Sequence, residues 1–278
     1  MSDAPQYSVP TAAAWALRIG VMMVFLGHGM VGFGLPAPWA AYFGVVGIGR
    51  NAAFELMPWV ALLDLSMAVL ALVYPIRICV LFMVAWAAWT AALRPLAGEP
   101  FWEAAERAGN FGAPLGLLLI LDREGRWAWF RGRLAGSLTS GRRSALEWSL
   151  RLSTVALLFG HGALGLIVHK PLLVAHYSSL GLNGSLVEPW IGAFEMALAM
   201  VVLLRPSFRI LLFVSAWKIA TELLNPIAGS AFWVFVEHGG SYAAPLALAL
   251  LRESWVQAAH NETLREKVTS GPGQMVEE

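Results

Sequence analysis

Hydrophobic residues along this chain fall into continuous runs and do not alternate with polar ones. Continuous apolar runs favour membrane-spanning helices over the strands of a membrane barrel. Most of the runs contain about 17–24 mainly apolar residues, enough to cross a hydrocarbon layer about 30 Å thick. We therefore predict eight transmembrane helices, at 11–34, 52–74, 76–96, 106–122, 145–168, 187–204, 206–226 and 238–252.

Composition supports an integral membrane protein in contact with lipid. Of the 278 residues, 58% are hydrophobic and 13% are charged, and the mean hydropathy is +0.63. Soluble proteins carry about 25% charged residues. The net charge of +1 gives no reason to expect nucleic acid as a partner, and the single cysteine, Cys79, excludes an internal disulfide or a CxxC pair. The N-terminus lacks the basic stretch of a cleaved signal peptide, so we expect it to be retained.

Two halves of the sequence repeat one another. WALR and GHG in the first half recur as WSLR and GHG 133 residues later, and residues 94–114 align without gaps onto 225–245 with nine of 21 positions identical. Each half carries four predicted helices, and an even number gives both halves the same orientation. We predict two parallel four-helix repeats at 1–122 and 144–255, a linker at 123–143 and a tail at 256–278.

Basic residues set the predicted orientation. The linker REGRWAWFRGRLAGSLTSGRR is rich in arginine, and further basic residues fall on the same side of the predicted helices. The positive-inside rule then places the linker and both termini in the cytoplasm of a bacterial inner (plasma) membrane, with the linker against anionic lipid.

A histidine and a carboxylate fall at matching depth on neighbouring predicted helices of each half. His28 and Asp64 both lie about 15–16 Å from the cytoplasmic edge, and His161 with Glu195 repeats the arrangement. Carboxylates within a membrane face a partner, a cavity or the bundle interior. The carboxylate would fix one ring nitrogen of the histidine, leaving the other to bind haem iron or another metal, to contact a quinone carbonyl, or to relay protons.

Glycines flank both histidines, as Gly27, Gly29, Gly160 and Gly162. One interpretation is that they let a flat cofactor ring approach the helix backbone, which makes them candidate cofactor-binding residues. The alternative is that they are sites of close helix packing, with the histidine only bonded to its acid.

The second half carries additional charges. Lys218 and Glu222 stand where the first half has Ala87 and Ala91, and their spacing permits an ion pair. Because a lysine at this depth must be paired or neutral, we expect His161, Glu195, Lys218 and Glu222 to form the main catalytic site, with His28 and Asp64 as its counterpart.

A second aligned pair of acids, Glu106 and Glu237, lies nearer the outer face, beside Arg107 and His238. We expect these acids to cap the following helices; the alternative is an outer vestibule for substrate or partner. The nearby aromatic loops, 35–44 and 99–109, are expected to form short surface helices with tryptophan anchors.

The four-helix unit resembles the DoxX-like membrane proteins, including the DoxX, DoxD and MauE types. The resemblance lies in WALR, GHG, the acid-bearing second helix and the stretch from Arg94 to Pro114. It implies a helical bundle that acts as an accessory or quinone-linked subunit of an oxidoreductase. The absence of a dithiol departs from the MauE type, and the tandem duplication departs from the usual single unit.

Three functional hypotheses remain open. The first is a membrane subunit of a respiratory or sulfur-type redox complex that handles quinone or haem, with His28 and His161 as the iron ligands in the haem version and other subunits as partners. The second is a proton-coupled transporter of a small solute. The third is a non-catalytic scaffold for a larger complex.

Overall fold

The computed structural model describes residues 7–269, and over these residues the chain is all-α. The helices are α1 (Thr11–Phe33), α2 (Ala40–Val45), α3 (Arg50–Val73), α4 (Arg77–Leu96), α5 (Phe101–Glu106), α6 (Ala108–Ile120), α7 (Ser140–Leu166), α8 (Pro171–Ser178), α9 (Gly184–Leu204), α10 (Phe208–Glu222), α11 (Leu224–Ile227), α12 (Phe232–Glu237) and α13 (Gly239–Thr269). Single 3₁₀ turns occupy Ala37–Trp39 and Ala128–Phe130. We refer to α1–α6 as the first half and to α7–α13 as the second half.

Seven helical stretches of the described residues are long and apolar enough to cross a bilayer, as expected of a multi-pass membrane protein. They are Thr11–Phe33, Arg50–Val73, Arg77–Leu96, Ser140–Leu166, Gly184–Leu204, Phe208–Ile227 and Phe232–Asn261. Large apolar side chains cover the outer surface; Trp59 and Trp190, for example, are 69% and 79% exposed. Soluble monomers do not expose apolar surface on this scale, so these side chains suit contact with lipid.

The predicted helix at 106–122 is the exception among the eight. It corresponds to α6, whose 13 residues span only about 20 Å and follow the separate short helix α5.

The bounds of two other helices also differ from the predicted ones. Helix α7 begins inside the predicted linker, where Thr139 accepts a hydrogen bond from the backbone N–H of Arg142. Helix α13 continues through the first part of the predicted tail to Thr269, and residues 270–278 lie outside the described range.

Four helices form the centre of the bundle. Helices α6 and α13 pack on each other and on both α1 and α7, while α3 packs on α1, α9 on α7, α4 on α6 and α10 on α13. The central contacts join the two halves, because α1 packs on α12 and α13, and α7 packs on α5 and α6. Each half therefore completes its packing with the last helices of the other.

The WALR and WSLR motifs have a structural role. Arg18 donates hydrogen bonds to the last carbonyl groups of α3, including that of Val73 at 2.9 Å, and its guanidinium carbon lies 4.5 Å from the ring centre of Trp15. Arg151 does the same at the end of α9 and lies 4.6 Å from the ring centre of Trp148. Both arginines satisfy carbonyl groups that a helix end leaves without partners.

The first glycine of each GHG motif is a contact between the halves. A Cβ atom on Gly27 would lie 2.1 Å from the backbone nitrogen of Glu237, and one on Gly160 would lie 2.2 Å from that of Glu106. Backbone packs directly on backbone at both places, and only glycine fits there.

The second glycine of each motif packs within its own half. A Cβ atom on Gly29 would lie 2.9 Å from the carbonyl oxygen of Ala61, and one on Gly162 would lie 2.6 Å from that of Gly192. The close approach brings the acid-bearing helix, α3 or α9, against the histidine-bearing helix. The packing interpretation of the glycines therefore has direct support in the structure.

Candidate functional site

His28 and Asp64 form the pair that their depths predict. His28 Nδ1 lies 2.7 Å from Asp64 Oδ2, and the other carboxylate oxygen accepts a hydrogen bond of 3.0 Å from Trp86 Nε1. Asp64 is fully buried. The His28 ring also stacks on Trp39, with ring centres 4.5 Å apart and planes inclined by 25°. With Nδ1–H donated to the carboxylate, the neutral imidazole presents Nε2 as a hydrogen-bond acceptor.

The second half repeats this arrangement. His161 Nδ1 hydrogen-bonds to Glu195 Oε2, and Trp217 Nε1 donates to Glu195 Oε1 at 2.9 Å. The predicted ion pair on α10 is also present: Lys218 Nζ lies 2.9 Å from Glu222 Oε1 and 3.8 Å from Glu195 Oε1. The structure thus brings His161, Glu195, Lys218 and Glu222 together, all buried.

We call each histidine–carboxylate pair, His28–Asp64 and His161–Glu195, a dyad. A cavity of about 510 Å³ lies beside the dyad of the first half. Its walls are mainly apolar and aromatic, with few polar groups. The lining residues are Val24, Phe25, His28, Trp39, Tyr42, Phe43, Val46, Ile48, Leu56, Met57, Trp59, Val60, Leu63, Asp64, Trp86, Ala87, Trp89, Thr90, Leu93, Arg94, Arg107, Asn110 and Glu237. Leu56, Trp59 and Leu63 belong to this wall and are also exposed on the outer surface of α3. The cavity therefore reaches the apolar surface of the bundle.

Only one of the two dyads faces this cavity. His28 and Asp64 line it, whereas His161 and Glu195 do not. The four motif glycines are absent from the lining and lie in the helix contacts described above. The cavity therefore lies beside His28 and Asp64, which we expected to be only the counterpart of the main site. The denser cluster of charged residues lies in the second half, where we expected the main site.

The corresponding region of the second half is filled by side chains. Helix α8 contributes Leu173 and Tyr177 to a small buried cluster with Leu164 and Leu224. His176, from the same helix, is also buried, and this burial lowers its pKa to about 4. The aliphatic chain of Lys218 adds further volume, because it is fully buried where the first half has Ala87.

A chain of ion pairs joins the cavity to the charge cluster. Arg107 Nη1 lies 2.7 Å from Glu237 Oε1, and both residues line the cavity. His238 lies between the carboxylates of Glu106, at 3.2 Å from Nε2, and Glu222, at 3.7 Å from Nδ1. The Arg107–Glu237 and Glu106–His238 pairs connect residues of different halves, and together the pairs leave few of these buried charges uncompensated.

These pairs correct the expected role of Glu106 and Glu237. We expected the two acids to cap the following helices. No side chain caps the N-terminus of α6, so this expectation is wrong for Glu106, and both acids bind cations of the opposite half. The first-half acid pairs with a second-half histidine, and the second-half acid pairs with a first-half arginine. The two acids thus occupy equivalent positions in the repeat, and each pairs with a cation of the opposite half.

Glu106, Glu222 and His238 are also the described residues that could hold a metal ion, with one ligand atom each lying within 4.8 Å of the others. The ammonium group of Lys218 already contacts Glu222 at 2.9 Å and supplies a positive charge to the cluster. His238 Nδ1 donates to the carbonyl oxygen of Val234 at 2.7 Å. Lys218 and His238 therefore compensate the carboxylates of this cluster, so no metal ion is needed to balance their charge.

The outer end of the cavity is held by a hydrogen-bonded triad. The Tyr42 hydroxyl donates to Glu99, which also accepts from Arg94 Nη1 at 3.0 Å. Burial is the largest cause that raises the pKa of Tyr42, to about 12. Burial also acts to raise the pKa of Glu99, but the Tyr42 hydroxyl and the Arg94 guanidinium outweigh it and lower that pKa. The triad therefore fixes α2 over the cavity with Tyr42 neutral and Glu99 ionised.

Several lining residues were not predicted as part of a site. Trp39 and Tyr42 lie in the 3₁₀ turn and short helix expected in the outer loop, but they line the cavity in addition to any anchoring role. Asn110 also lines it, and its buried Oδ1 has no hydrogen-bond partner among the described residues. One signal in the sequence pointed to this site. The first half has the small Ala87 where the second half has Lys218, so less side-chain volume is present at that position.

Comparison with protein-family models, curated proteins and solved structures finds no match to this chain.

Proposed function

We propose that this protein binds a lipid-soluble quinone in the first-half cavity and acts as a membrane subunit of a quinone-linked redox complex. The observation that carries the proposal is the position of the His28–Asp64 dyad in the wall of an apolar cavity that reaches the lipid-facing surface of α3.

The size and chemistry of the cavity suit a quinone ring. Small-molecule pockets of about 300–1,000 Å³ combine apolar walls with a few placed polar groups. The His28–Trp39 stack and the indole of Trp86 offer flat surfaces to an aromatic ring. The exposed wall of Leu56, Trp59 and Leu63 provides a route from the bilayer, where such a ligand is dissolved.

His28 has the chemistry that a quinone site needs. Its Nδ1 is bonded to Asp64, and its Nε2 has no hydrogen-bond partner among the described residues. The carboxylate raises the basicity of the ring and stabilises the imidazolium, so His28 can take a proton from a ring hydroxyl or return one to a ring oxygen. The bound ligand supplies the two-electron redox chemistry, and partner subunits exchange its electrons.

Haem is less well supported than quinone. Ligation by His28 and His161 requires both imidazoles at one site, and the cavity lining includes His28 alone. An absorption spectrum of the purified protein, oxidised and then reduced with dithionite, tests this choice; a Soret band that shifts on reduction would contradict it.

The two-repeat architecture belongs to the same proposal. We infer two parallel, DoxX-like four-helix units with eight spans, in a bacterial inner membrane with both termini cytoplasmic. Support comes from the matched pairs of contacts: the two arginine caps, the two dyads with their tryptophans, and the two glycine contacts between halves.

The repeat supplies a matched pair of variants for the binding test. Trp59 and Trp190 occupy equivalent positions after a helix proline, and both are exposed, but only Trp59 lines the cavity. We would titrate detergent-purified protein with decylubiquinone by calorimetry. Loss of one aromatic contact costs about 0.5–1.5 kcal/mol beyond lost area, so Trp59→Ala should weaken binding about three- to tenfold.

The control is Trp190→Ala, which should bind decylubiquinone as the wild type does. His28→Gln should weaken binding further, because it removes both the basic nitrogen and the ring stacked on Trp39. The proposal fails if wild-type protein does not bind decylubiquinone, or if both tryptophan variants lose affinity equally.

A further inference from the structure

The junction of α5 and α6 carries two polar residues that line the cavity, Arg107 and Asn110. Arg107 follows the last residue of α5, and Asn110 lies in the first turn of α6. The backbone N–H of Asn110 donates to the carbonyl oxygen of Arg107 at 2.9 Å. One turn of the chain therefore brings both residues to the wall of the cavity.

Most of the hydrogen-bonding capacity of Arg107 is unused. Its guanidinium group carries five N–H donors, and Nη1 donates to Glu237 Oε1 at 2.7 Å. The buried Nε lies 3.9 Å from Glu106 Oε2, too far for a hydrogen bond, and Nη2 donates to none of the described residues. Arg107 can therefore keep its ion pair with Glu237 and still donate to a ligand.

The side-chain amide of Asn110 is also unused. Asn110 is 6% exposed, and its amide makes no hydrogen bond with the described residues. A buried polar group without a partner is unfavourable, so a ligand that bonds to this amide gains affinity from satisfying it.

The equivalent turn of the second half is bonded differently. The backbone N–H of Ser241 donates to the carbonyl oxygen of His238 at 2.8 Å, as Asn110 does to Arg107. His238 Nδ1 donates to the carbonyl oxygen of Val234, and Nε2 lies 3.2 Å from Glu106 Oε1. Both ring nitrogens of His238 are thus engaged, whereas Arg107 keeps free donors in the half that has the cavity.

We propose that Arg107 and Asn110 bind a ring carbonyl oxygen of the ligand, as a second polar contact in addition to His28. This inference rests on the proposed function. Arg107 can only donate hydrogen bonds, so its partner on the ligand is an acceptor, and the amide of Asn110 can donate to the same atom. A quinone ring carries two carbonyl oxygens, so one can lie at this turn while His28 exchanges a proton with the other.

The first test measures binding of decylubiquinone to Asn110→Leu by calorimetry. Leucine has a similar shape but no amide, so the ligand oxygen loses a buried hydrogen bond and affinity should fall about fivefold or more. Asn110→Ser, which places the second-half residue in this turn, is a second variant and should also bind more weakly.

The matched control is Ser241→Ala. The Ser241 hydroxyl is likewise buried without a partner among the described residues, but Ser241 does not line the cavity. This variant should bind decylubiquinone as the wild type does.

Infrared spectra of the bound ligand separate a hydrogen bond from a change in cavity shape. A hydrogen bond to a carbonyl oxygen weakens the C=O bond and lowers its stretching frequency. We expect a C=O band of decylubiquinone bound to the wild type to lie below that of the free ligand in detergent. The shift should be smaller in the Asn110 variants and unchanged in Ser241→Ala.

The outcomes separate this inference from the function on which it rests. Undiminished affinity and an unchanged C=O band in a folded Asn110 variant would overturn the contact and leave quinone binding intact. Weaker binding with a C=O band as in the wild type would assign the loss to cavity shape and would also overturn it. A wild-type protein that does not bind decylubiquinone would overturn the proposed function and the inference together.

Discussion

A methyl group at Gly27 should force the two halves of the protein apart. A Cβ atom there would lie 2.1 Å from the backbone nitrogen of Glu237 and 2.5 Å from its Cα. Ordinary contacts between such atoms begin at about 3.5 Å, so α1 and α12 would have to separate locally by about 1.4 Å. Neither backbone can rotate away as a flexible side chain could.

The expected cost of Gly27→Ala follows from this geometry. Overpacked substitutions typically destabilise by about 1–3 kcal/mol, and a backbone-on-backbone contact places this variant at the upper end, about 3 kcal/mol. The shift would also displace Glu237 from Arg107, to which it is bound at 2.7 Å. We therefore expect lower stability together with weaker ligand binding.

The assay is unfolding of the purified protein in mixed micelles with increasing dodecyl sulfate, followed by circular dichroism. Gly44→Ala is the control, since a Cβ atom on Gly44 meets nothing within 4 Å. Equal stability of Gly27→Ala and Gly44→Ala would refute the interpretation of GHG as a contact between halves.

Three further predictions concern buried polar groups. Asp64→Asn should weaken decylubiquinone binding about ten- to hundredfold by calorimetry, because the imidazole of His28 loses its charged partner; undiminished affinity would contradict this role. Arg107→Gln should destabilise the protein by about 3–5 kcal/mol in the unfolding assay, because Glu237 is left buried without its cation; a cost below about 1 kcal/mol would contradict it. Since burial lowers the pKa of His176 to about 4, the unfolded chain takes up a proton as pH falls below 6.5 while the folded protein does not. Stability should therefore fall between pH 6.5 and 4, and His176→Gln should reduce this dependence; an unchanged pH profile in that variant would count against it.

Sequence patterns predicted the features that depend on depth in the membrane or on spacing along one helix. The depth calculation brought His28 to Asp64 and His161 to Glu195, and the four-residue spacing brought Lys218 to Glu222. Such predictions succeed because the helical rise per residue is nearly constant within a membrane.

Contacts between the two halves were not predicted. The exchange of Glu106 and Glu237 between halves requires knowledge of tertiary packing, so the acids were assigned to capping. The cavity was missed for a different reason. Lys218 was interpreted as chemistry added to the second half, whereas the structure shows that the shorter Ala87 leaves space in the first. A sequence shows which side chain is present, but the volume left unfilled depends on all of its neighbours.

The exchanged contacts between halves also bear on biosynthesis. Arg107 and its partner Glu237 are 130 residues apart, so the first half is synthesised and inserted before its counter-charge exists. Until the last helices are inserted, Arg107 and Glu106 of the nascent chain lack the second-half partners that they have in the folded protein. If the two halves descend from one four-helix chain, as the proposed repeat implies, that chain would have satisfied these contacts by pairing with a second copy and exchanging its last helices.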